Sequence, residues 1–262
     1  MQRMLLLGEY CCQAGGIVID ERKFKDDDLV IAREAGRTLV FSPLGNKPRF
    51  PKLAIVGITP GAQSEKFAKL LKEGVGVELA ARRSAFHGAH KPIRELLEAH
   101  GFLDALGIPS PADVNESDAI FTTSLVKCCL KVDGSYKWAA PEIAASKAAS
   151  YCVLNRFVRD IESYPSITHV VIFGEAGWDA IHVLKKDGMS IKSHLESRRL
   201  HLLNMPHFAQ NFQQRAIYAL HPSQDDGHFR SKPERRRYFS KAASMRARTI
   251  AEVKRITGLS DL

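Results

Sequence analysis

Two short loops carry the residue types that could do chemistry on a bound ligand. The first, Gly57-Ile58-Thr59-Pro60-Gly61, has glycines that let the backbone approach a ligand closely and a threonine hydroxyl that can bind water. The second, His221-Pro222-Ser223-Gln224, places an imidazole next to a hydroxyl and backbone amides. Each loop follows a short apolar run of the strand type. Together they predict one crevice lined by both loops.

Four apolar runs bounded by turn residues predict the strands that position these loops: Leu53 to Ile58, Ala119 to Val126, His169 to Phe173, and Arg215 to Leu220. Helices are predicted between them at Pro92 to His100, Pro141 to Glu162, and Glu175 to Lys186, and a cationic helix follows the last strand. The alternation predicts an α/β fold, a three-layer α/β/α sandwich with a central, mainly parallel four-stranded sheet. In such folds, ligands bind beyond the carboxyl ends of the strands.

Length and composition bound the class of protein. The chain has 262 residues, a net charge of +9 and 45% hydrophobic residues, which excludes a disordered chain and a disulfide-stapled miniprotein. We expect a single domain over residues 1–262, with residues 1–50 as an extension packed on it and a hairpin around Gly36. No apolar run reaches the roughly 20 residues that span a bilayer. The expectation is a cytoplasmic monomer without a membrane partner.

The positive charge is concentrated near the end of the sequence. Between His228 and Ile256, ten lysines and arginines stand against Glu234 and Glu252. A cationic stripe of this kind attracts phosphates, although it is also typical of a solvated helix face. Nucleic acid is therefore one candidate partner.

The two loops and two further segments resemble the uracil-DNA glycosylase superfamily. Its members carry a Gly-x-x-Pro-Gly motif after the first core strand and a His-Pro-Ser or Asn-Pro-Ser motif after the last. The segment from Ala85 to Leu97 is similar to the family's Phe-x-Gly segment and its following helix. The segment from Phe121 to Cys128 looks like the Tyr-Ile-Thr-Asn-Val-Val-Lys-Cys segment of the thermostable, iron–sulfur branch. The resemblance covers residues 52–240 in the family's order.

The resemblance implies a DNA glycosylase acting in base-excision repair. Such an enzyme hydrolyses the N-glycosidic bond of uracil, or of a related deaminated or damaged base, after flipping it from DNA. His221 would stabilise the departing base and Thr59 would hold the water. Phe86 would stack on the flipped base, within a base-binding set of Gly57, Ile58, Pro60, Gly61, Phe86 and Ser124. The DNA-binding set would be Pro222, Ser223, Gln224, Arg230, Lys232, Arg235 and Arg236.

The sequence departs from the family's pattern at two positions. The carboxylate or Asn that helps to position the water is replaced by Ile58 and Thr59, which leaves Gln63 or Glu65 as other candidates for that role. Ser124 replaces the Asn that reads the base, and its shorter side chain leaves room for hypoxanthine or xanthine. Two alternatives follow: a superfamily member that binds nucleic acid without releasing a base, and an enzyme acting on a nucleotide or another small molecule.

The cysteines and a second histidine complete the candidates. The iron–sulfur branch uses four cysteines, but here Cys11 and Cys12 are adjacent and Ser146 stands where the last ligand would align. Only Cys128 matches well, so we expect buried reduced thiols, no metal site and no cofactor. His207 competes with His221 for the donor role, but it lacks an equally direct preceding strand in the sequence pattern.

Overall fold

The structure is a computed structural model that describes residues 4–6, 18–20, 23–42, 45–61, 63–87, 89–99, 102–111, 113–136 and 140–205. The chain divides into two units, residues 1–87 with 115–204 and residues 88–114 with 205–262. The predicted strand from Arg215 to Leu220 and the cationic helix lie outside the described residues. A single domain over residues 1–262 stays a prediction.

The described residues form twelve strands and nine α-helices. The strands are β1 (Met4–Leu6), β2 (Val18–Asp20), β3 (Val30–Glu34), β4 (Arg37–Val40), β5 (Leu53–Gly57), β6 (Ile120–Ser124), β7 (Cys129–Val132), β8 (Ser135–Tyr136), β9 (His169–Phe173), β10 (Lys185–Lys186), β11 (Met189–Ser190) and β12 (His201–Met205). The helices are α1 (Gln63–Lys72), α2 (Val77–Ser84), α3 (His90–Ala99), α4 (Phe102–Ala105), α5 (Ala140–Ala145), α6 (Lys147–Cys152), α7 (Val158–Glu162), α8 (Glu175–Val183) and α9 (Ile191–Ser197). A π-helical turn, Val153–Phe157, joins α6 to α7.

The central sheet has four strands in the order β12-β9-β5-β6. Strand β5 pairs in parallel with both neighbours, so that Leu53 lies opposite Ile120 on one side and His169 on the other. The mixed α/β fold with a four-stranded, mainly parallel sheet is therefore confirmed. Three of the predicted strands form within two residues of their expected bounds. The fourth strand of the described sheet is β12, which the sequence analysis missed.

The central strands are apolar on both faces, which is typical of a parallel sheet between two layers. Leu53, Ala54, Ile55 and Val56 are all 0% exposed. Ala54 and Val56 belong to the main hydrophobic core of the first unit, whereas Leu53 and Ile55 point to the opposite face. Both faces of the sheet are thus buried.

A second sheet of four strands has the order β3-β4-β7-β8. Its pairs are antiparallel, and β3 and β4 form the hairpin that was predicted around Gly36, whose φ is +69°. The segment after β4 adds Phe41, whose ring packs edge-on against Phe67 of α1 at a centroid distance of 5.8 Å. Residues 30–41 therefore contribute a sheet strand pair and core side chains to the first unit.

The predicted helix from Pro141 to Glu162 is divided at Ser146. Its backbone there is extended, and its hydroxyl oxygen accepts a hydrogen bond from the Ala149 N–H at 3.0 Å, as an N-cap does. The Glu34 carboxylate from β3 accepts a further bond from the Ala148 N–H at 2.8 Å. One continuous helix over this range was thus a wrong prediction, because a serine cap starts a new helix.

The predicted helix from Glu175 to Lys186 also ends early. Helix α8 stops at Val183, and Lys185 and Lys186 pair with β11 instead. The turn between these strands is Asp187-Gly188, with φ values of 52° and 84°. Positive φ at both central residues is typical of the type I′ turn that closes two-residue hairpins.

In the second unit, the described residues include α3 and α4. Ile93 and Leu97 lie on one face of α3, and both are 0% exposed. The predicted helix from Pro92 to His100 thus forms, with its start moved to His90. Nowhere in the described ranges is a helix long and apolar enough to cross a membrane.

His169, at the start of β9, makes stability depend on pH. It is 5% exposed, and burial together with the neighbouring His201 lowers its pKa from 6.5 to about 4. Between these two values the unfolded chain binds more protons than the folded one, so the free energy of unfolding falls as the pH falls. The expected slope is at most about 1.4 kcal/mol per pH unit.

Urea titrations between pH 6.5 and 5 would measure this slope. His169→Gln, which cannot take up the proton, is expected to flatten it. His182→Gln, at an exposed position of α8, is the matched control and should leave the slope unchanged. An equal slope in wild type and His169→Gln would contradict the assignment.

Candidate functional site

The candidate site begins where β5 and β6 end. Gly57 lies opposite Ser124 in the parallel register, so the carboxyl ends of the two strands are adjacent. Beyond them the Leu125 N–H donates to the Gly57 carbonyl at 2.9 Å, and the Val126 N–H donates to the Ile58 carbonyl at 3.0 Å. These bonds continue the pairing past the strands. The loop after β5 therefore rests on a fixed backbone platform.

Phe86 packs against this strand end. A Cβ added at Gly57 would lie 3.2 Å from Cε1 and 3.4 Å from Cζ of the Phe86 ring, so glycine is what permits the close approach. The ring is buried, with 6% exposure. A base that stacks on it would require the ring face to become accessible. Gly57 and Phe86, both predicted to bind the base, are thus brought together.

The backbone of Phe86 is held in an unusual conformation. Its φ is +52°, which is uncommon for a bulky residue and requires support from the surroundings. The Gln63 side-chain oxygen accepts from the Phe86 N–H at 2.9 Å, and the Asn115 amide donates to the Ala85 carbonyl at 2.9 Å. Two side chains from distant parts of the sequence therefore fix the turn that aims the ring.

Thr59 lies in the loop between β5 and α1. Its hydroxyl oxygen is buried and makes no hydrogen bond to any residue in the described ranges. Buried hydroxyls are normally paired, so an orphaned one marks a place where water or a ligand group would be held. Gly61, with φ +57°, then turns the chain into α1. Pro60 is buried beside it.

Two predicted base-binding side chains are engaged elsewhere. The Ser124 hydroxyl donates to the Val126 carbonyl at 2.8 Å, so its proton is used in the local turn. The Ile58 side chain belongs to the hydrophobic core, where its Cγ1 would lie 3.2 Å from a Cβ added at Gly177. Only the backbone of Ile58 and the oxygen lone pairs of Ser124 are left for a ligand.

Of the two alternatives for the water-positioning role, Gln63 is the residue nearest the Phe86 turn. Glu65 instead accepts a hydrogen bond from the Tyr136 hydroxyl of β8. Burial and this bond raise the pKa of Tyr136 well above its usual value. Glu65 thus links α1 to the second sheet.

A buried ion pair below the strand ends was missed by the sequence analysis. The Lys127 ammonium lies 2.6 Å from the Asp160 carboxylate and also donates to the Thr123 hydroxyl. The lysine side chain is 7% exposed and the aspartate side chain 23%. The pair joins the end of β6 to α7. The signal in the sequence was a lone lysine inside the apolar run from Phe121 to Leu130.

Three of the five cysteines lie within the described residues. Cys128, Cys129 and Cys152 are buried as free thiols, and the Cys152 sulfur accepts from the Lys127 N–H at 3.3 Å. Burial raises the pKa of Cys129 to about 12, which keeps this thiol protonated. Ser146, at the position of the last ligand, is used as a helix cap. Cys11 and Cys12 lie outside the described residues, and among the described ones no group of three or more His, Cys, Asp or Glu could hold a metal.

His221 and the predicted DNA-binding residues lie outside the described part of the chain. They are Pro222, Ser223, Gln224, Arg230, Lys232, Arg235 and Arg236. His207 lies outside it too, but β12 ends at Met205, directly before Pro206. A strand that the sequence pattern did not predict thus ends two residues before His207, and His207 stays an alternative to His221 for the donor role.

The sequence matches no protein-family model, and no curated protein matches it. The candidate site is therefore assigned from the geometry of the described residues alone. Gly57 lies against Phe86 and opposite Ser124 at the ends of two neighbouring parallel strands, and Thr59 follows two residues after Gly57. Gln63 and Asn115 hold the aromatic turn.

Proposed function

We propose that the chain is a DNA glycosylase of the uracil-DNA glycosylase superfamily. Its reaction is hydrolysis of the N-glycosidic bond of a deaminated or damaged base flipped from DNA. The observation that carries the proposal is the packing of the Phe86 ring on Gly57 at the end of β5, in a loop where Thr59, two residues on, has a buried hydroxyl with no hydrogen-bond partner among the described residues. An aromatic face beside a water-holding group is what hydrolysis of an extruded base requires.

In the proposed mechanism, the protein stabilises charge that develops as the bond breaks. The sugar becomes positive and the departing base becomes negative, so a donor aimed at the base oxygen lowers the barrier. His221 supplies that donor. Thr59 holds the attacking water through its hydroxyl, which cannot act as a strong base at neutral pH. The backbone N–H and hydroxyl of Ser223 and the cationic segment that follows hold the DNA phosphates, and Pro222, which has no N–H to donate, restricts the backbone of this loop.

A second candidate function is nucleic-acid binding without base release. The observation that favours it is the Ser124 hydroxyl, which donates to the Val126 carbonyl instead of facing a base. Positions 58 and 59 also carry no carboxylate. With this function, the protein would bind a flipped base or a single strand and leave the glycosidic bond intact.

Base release from defined oligonucleotides separates these functions. Single- and double-stranded substrates would contain uracil, hypoxanthine, xanthine or a thymine mismatch, and released base would be measured by chromatography. The glycosylase proposal expects release from at least one substrate. Gly57→Ala, whose Cβ pushes the Phe86 ring by a few tenths of an ångström, is expected to slow release about tenfold.

Gly188→Asn is the matched control, because an added Cβ there meets no atom within 4 Å and asparagine tolerates positive φ. Its release rate should equal that of the wild-type chain. Salt-sensitive binding with every substrate left intact would reject the glycosylase and support the second candidate. Absence of both release and binding would leave the small-molecule alternative.

A further inference from the structure

A cavity of about 230 Å³ lies at the outer side of β6, the edge strand of the central sheet. Its lining comes from the segment before β5, from α2, and from the π-helical turn and α7. Asn46 forms part of its wall and bonds to the strand edge. Its amide donates to the Ile120 carbonyl at 2.7 Å and its oxygen accepts from the Thr122 N–H at 2.9 Å. The cavity is thus built on fixed backbone.

The lining carries an excess of positive charge. Four cations, Lys47, Arg82, Lys127 and Arg156, stand against Glu78 and Asp160. Asp160 is held by the Lys127 ammonium at 2.6 Å and lies 3.6 Å from the Arg156 guanidinium, and Glu78 pairs with Lys47 at 3.2 Å. Arg82 makes no ion pair within the described ranges. The six charged side chains of the lining therefore carry a formal excess of two positive charges.

One wall of the cavity is aromatic. Phe121 and Tyr164 lie with ring centroids 4.9 Å apart at an interplanar angle of 46°. Flat rings beside cationic side chains suit a ligand with an apolar or ring portion attached to a phosphate. The volume of about 230 Å³ is below the roughly 300–1,000 Å³ of ordinary ligand pockets, which limits the ligand to about one nucleotide.

We propose that this cavity binds a phosphate monoester of mononucleotide size, with the phosphate at Arg82 and Arg156 and the organic portion against Phe121 and Tyr164. A phosphate monoester carries close to two negative charges at neutral pH, which matches the excess in the lining. Guanidinium groups bind phosphate oxygens through paired hydrogen bonds. The ligand is either a free mononucleotide or the 5′-phosphate end of a DNA strand. The site does not depend on base release.

Isothermal titration of the full chain would test the proposal with thymidine 5′-monophosphate and with thymidine as probes. The monophosphate is expected to bind and thymidine to bind at least about tenfold more weakly. Arg82→Gln and Arg156→Gln should each raise the Kd for the monophosphate at least about tenfold. Arg83→Gln is the matched control, because Arg83 is an exposed neighbour on α2 that does not line the cavity.

Unmodified oligonucleotides with a 5′-phosphate or a 5′-hydroxyl would distinguish a DNA strand end from a free mononucleotide as the ligand. Binding that needs both the 5′-phosphate and Arg82 would identify a strand end, whereas Arg82-dependent binding of the monophosphate alone would identify a free nucleotide. No binding of any phosphate probe would overturn the proposal. Equal effects of Arg82→Gln and Arg83→Gln would also overturn it, because the ligand would then lie elsewhere.

Discussion

His221→Ala is expected to release the base about 100- to 1,000-fold more slowly than the wild-type chain, because it removes the donor that faces the developing negative charge. The loss should fall mainly on kcat, since the interaction forms as the bond breaks. Single-turnover release from the best oligonucleotide of the panel would measure it. DNA affinity, measured separately, should change little.

His207→Ala is the matched control for this result. His221 follows the predicted strand that ends at Leu220. His207 follows Pro206, which comes directly after β12. If His221 is the donor, the His207 variant should release base at the wild-type rate. A large loss in His207→Ala with normal release in His221→Ala would move the donor role to His207. Normal release in both variants would reject both histidines as the donor.

Asp160→Asn is expected to lower the free energy of unfolding by about 3 kcal/mol, because it leaves the buried Lys127 ammonium without a carboxylate. The aspartate side chain is 23% exposed, so the loss should lie at the lower end of the range for buried pairs. Urea unfolding at neutral pH would measure it. Replacing both partners, in Lys127→Met with Asp160→Leu, should recover much of the loss.

The pair Lys192 and Glu196 is the control for this prediction. Its atoms are also 2.6 Å apart, but the side chains are 27% and 44% exposed on α9. Glu196→Gln should therefore cost only about 0.5 kcal/mol. Equal losses in the two variants would show that burial does not set the strength of the Lys127 pair.

The central strands were predictable because they are buried on both faces and read as continuous apolar runs. Of the second sheet, only the hairpin of β3 and β4 was predicted. Its strands are half-exposed and mix charged with apolar residues, as in Arg33, Glu34 and Arg37, so their pattern did not indicate the pairing of β4 with β7 or of β7 with β8. Strand β12 was missed for a similar reason, since His201 and Asn204 interrupt its apolar run. Periodicity identifies buried strands well and edge strands poorly.

The site was predictable only in part. The meeting of Gly57 with Ser124 follows from the rule that neighbouring parallel strands end at one edge. The support of the Phe86 turn by Gln63 and Asn115 depends on hydrogen bonds between residues 23 and 30 positions apart. No local pattern encodes such bonds. The buried ion pair of Lys127 and Asp160 was not predictable for the same reason, because its two residues are far apart in the sequence.

The amide of Asn46 has a consequence for solubility. The outer edge of β6 would otherwise present free carbonyl and N–H groups, which are a template for a strand of another molecule. Asn46 occupies an acceptor at Ile120 and a donor at Thr122 with a side chain that cannot extend the sheet. Asn46 thus prevents part of the β6 edge from pairing with a strand of another molecule, and no additional strand is needed to cover that part of the edge.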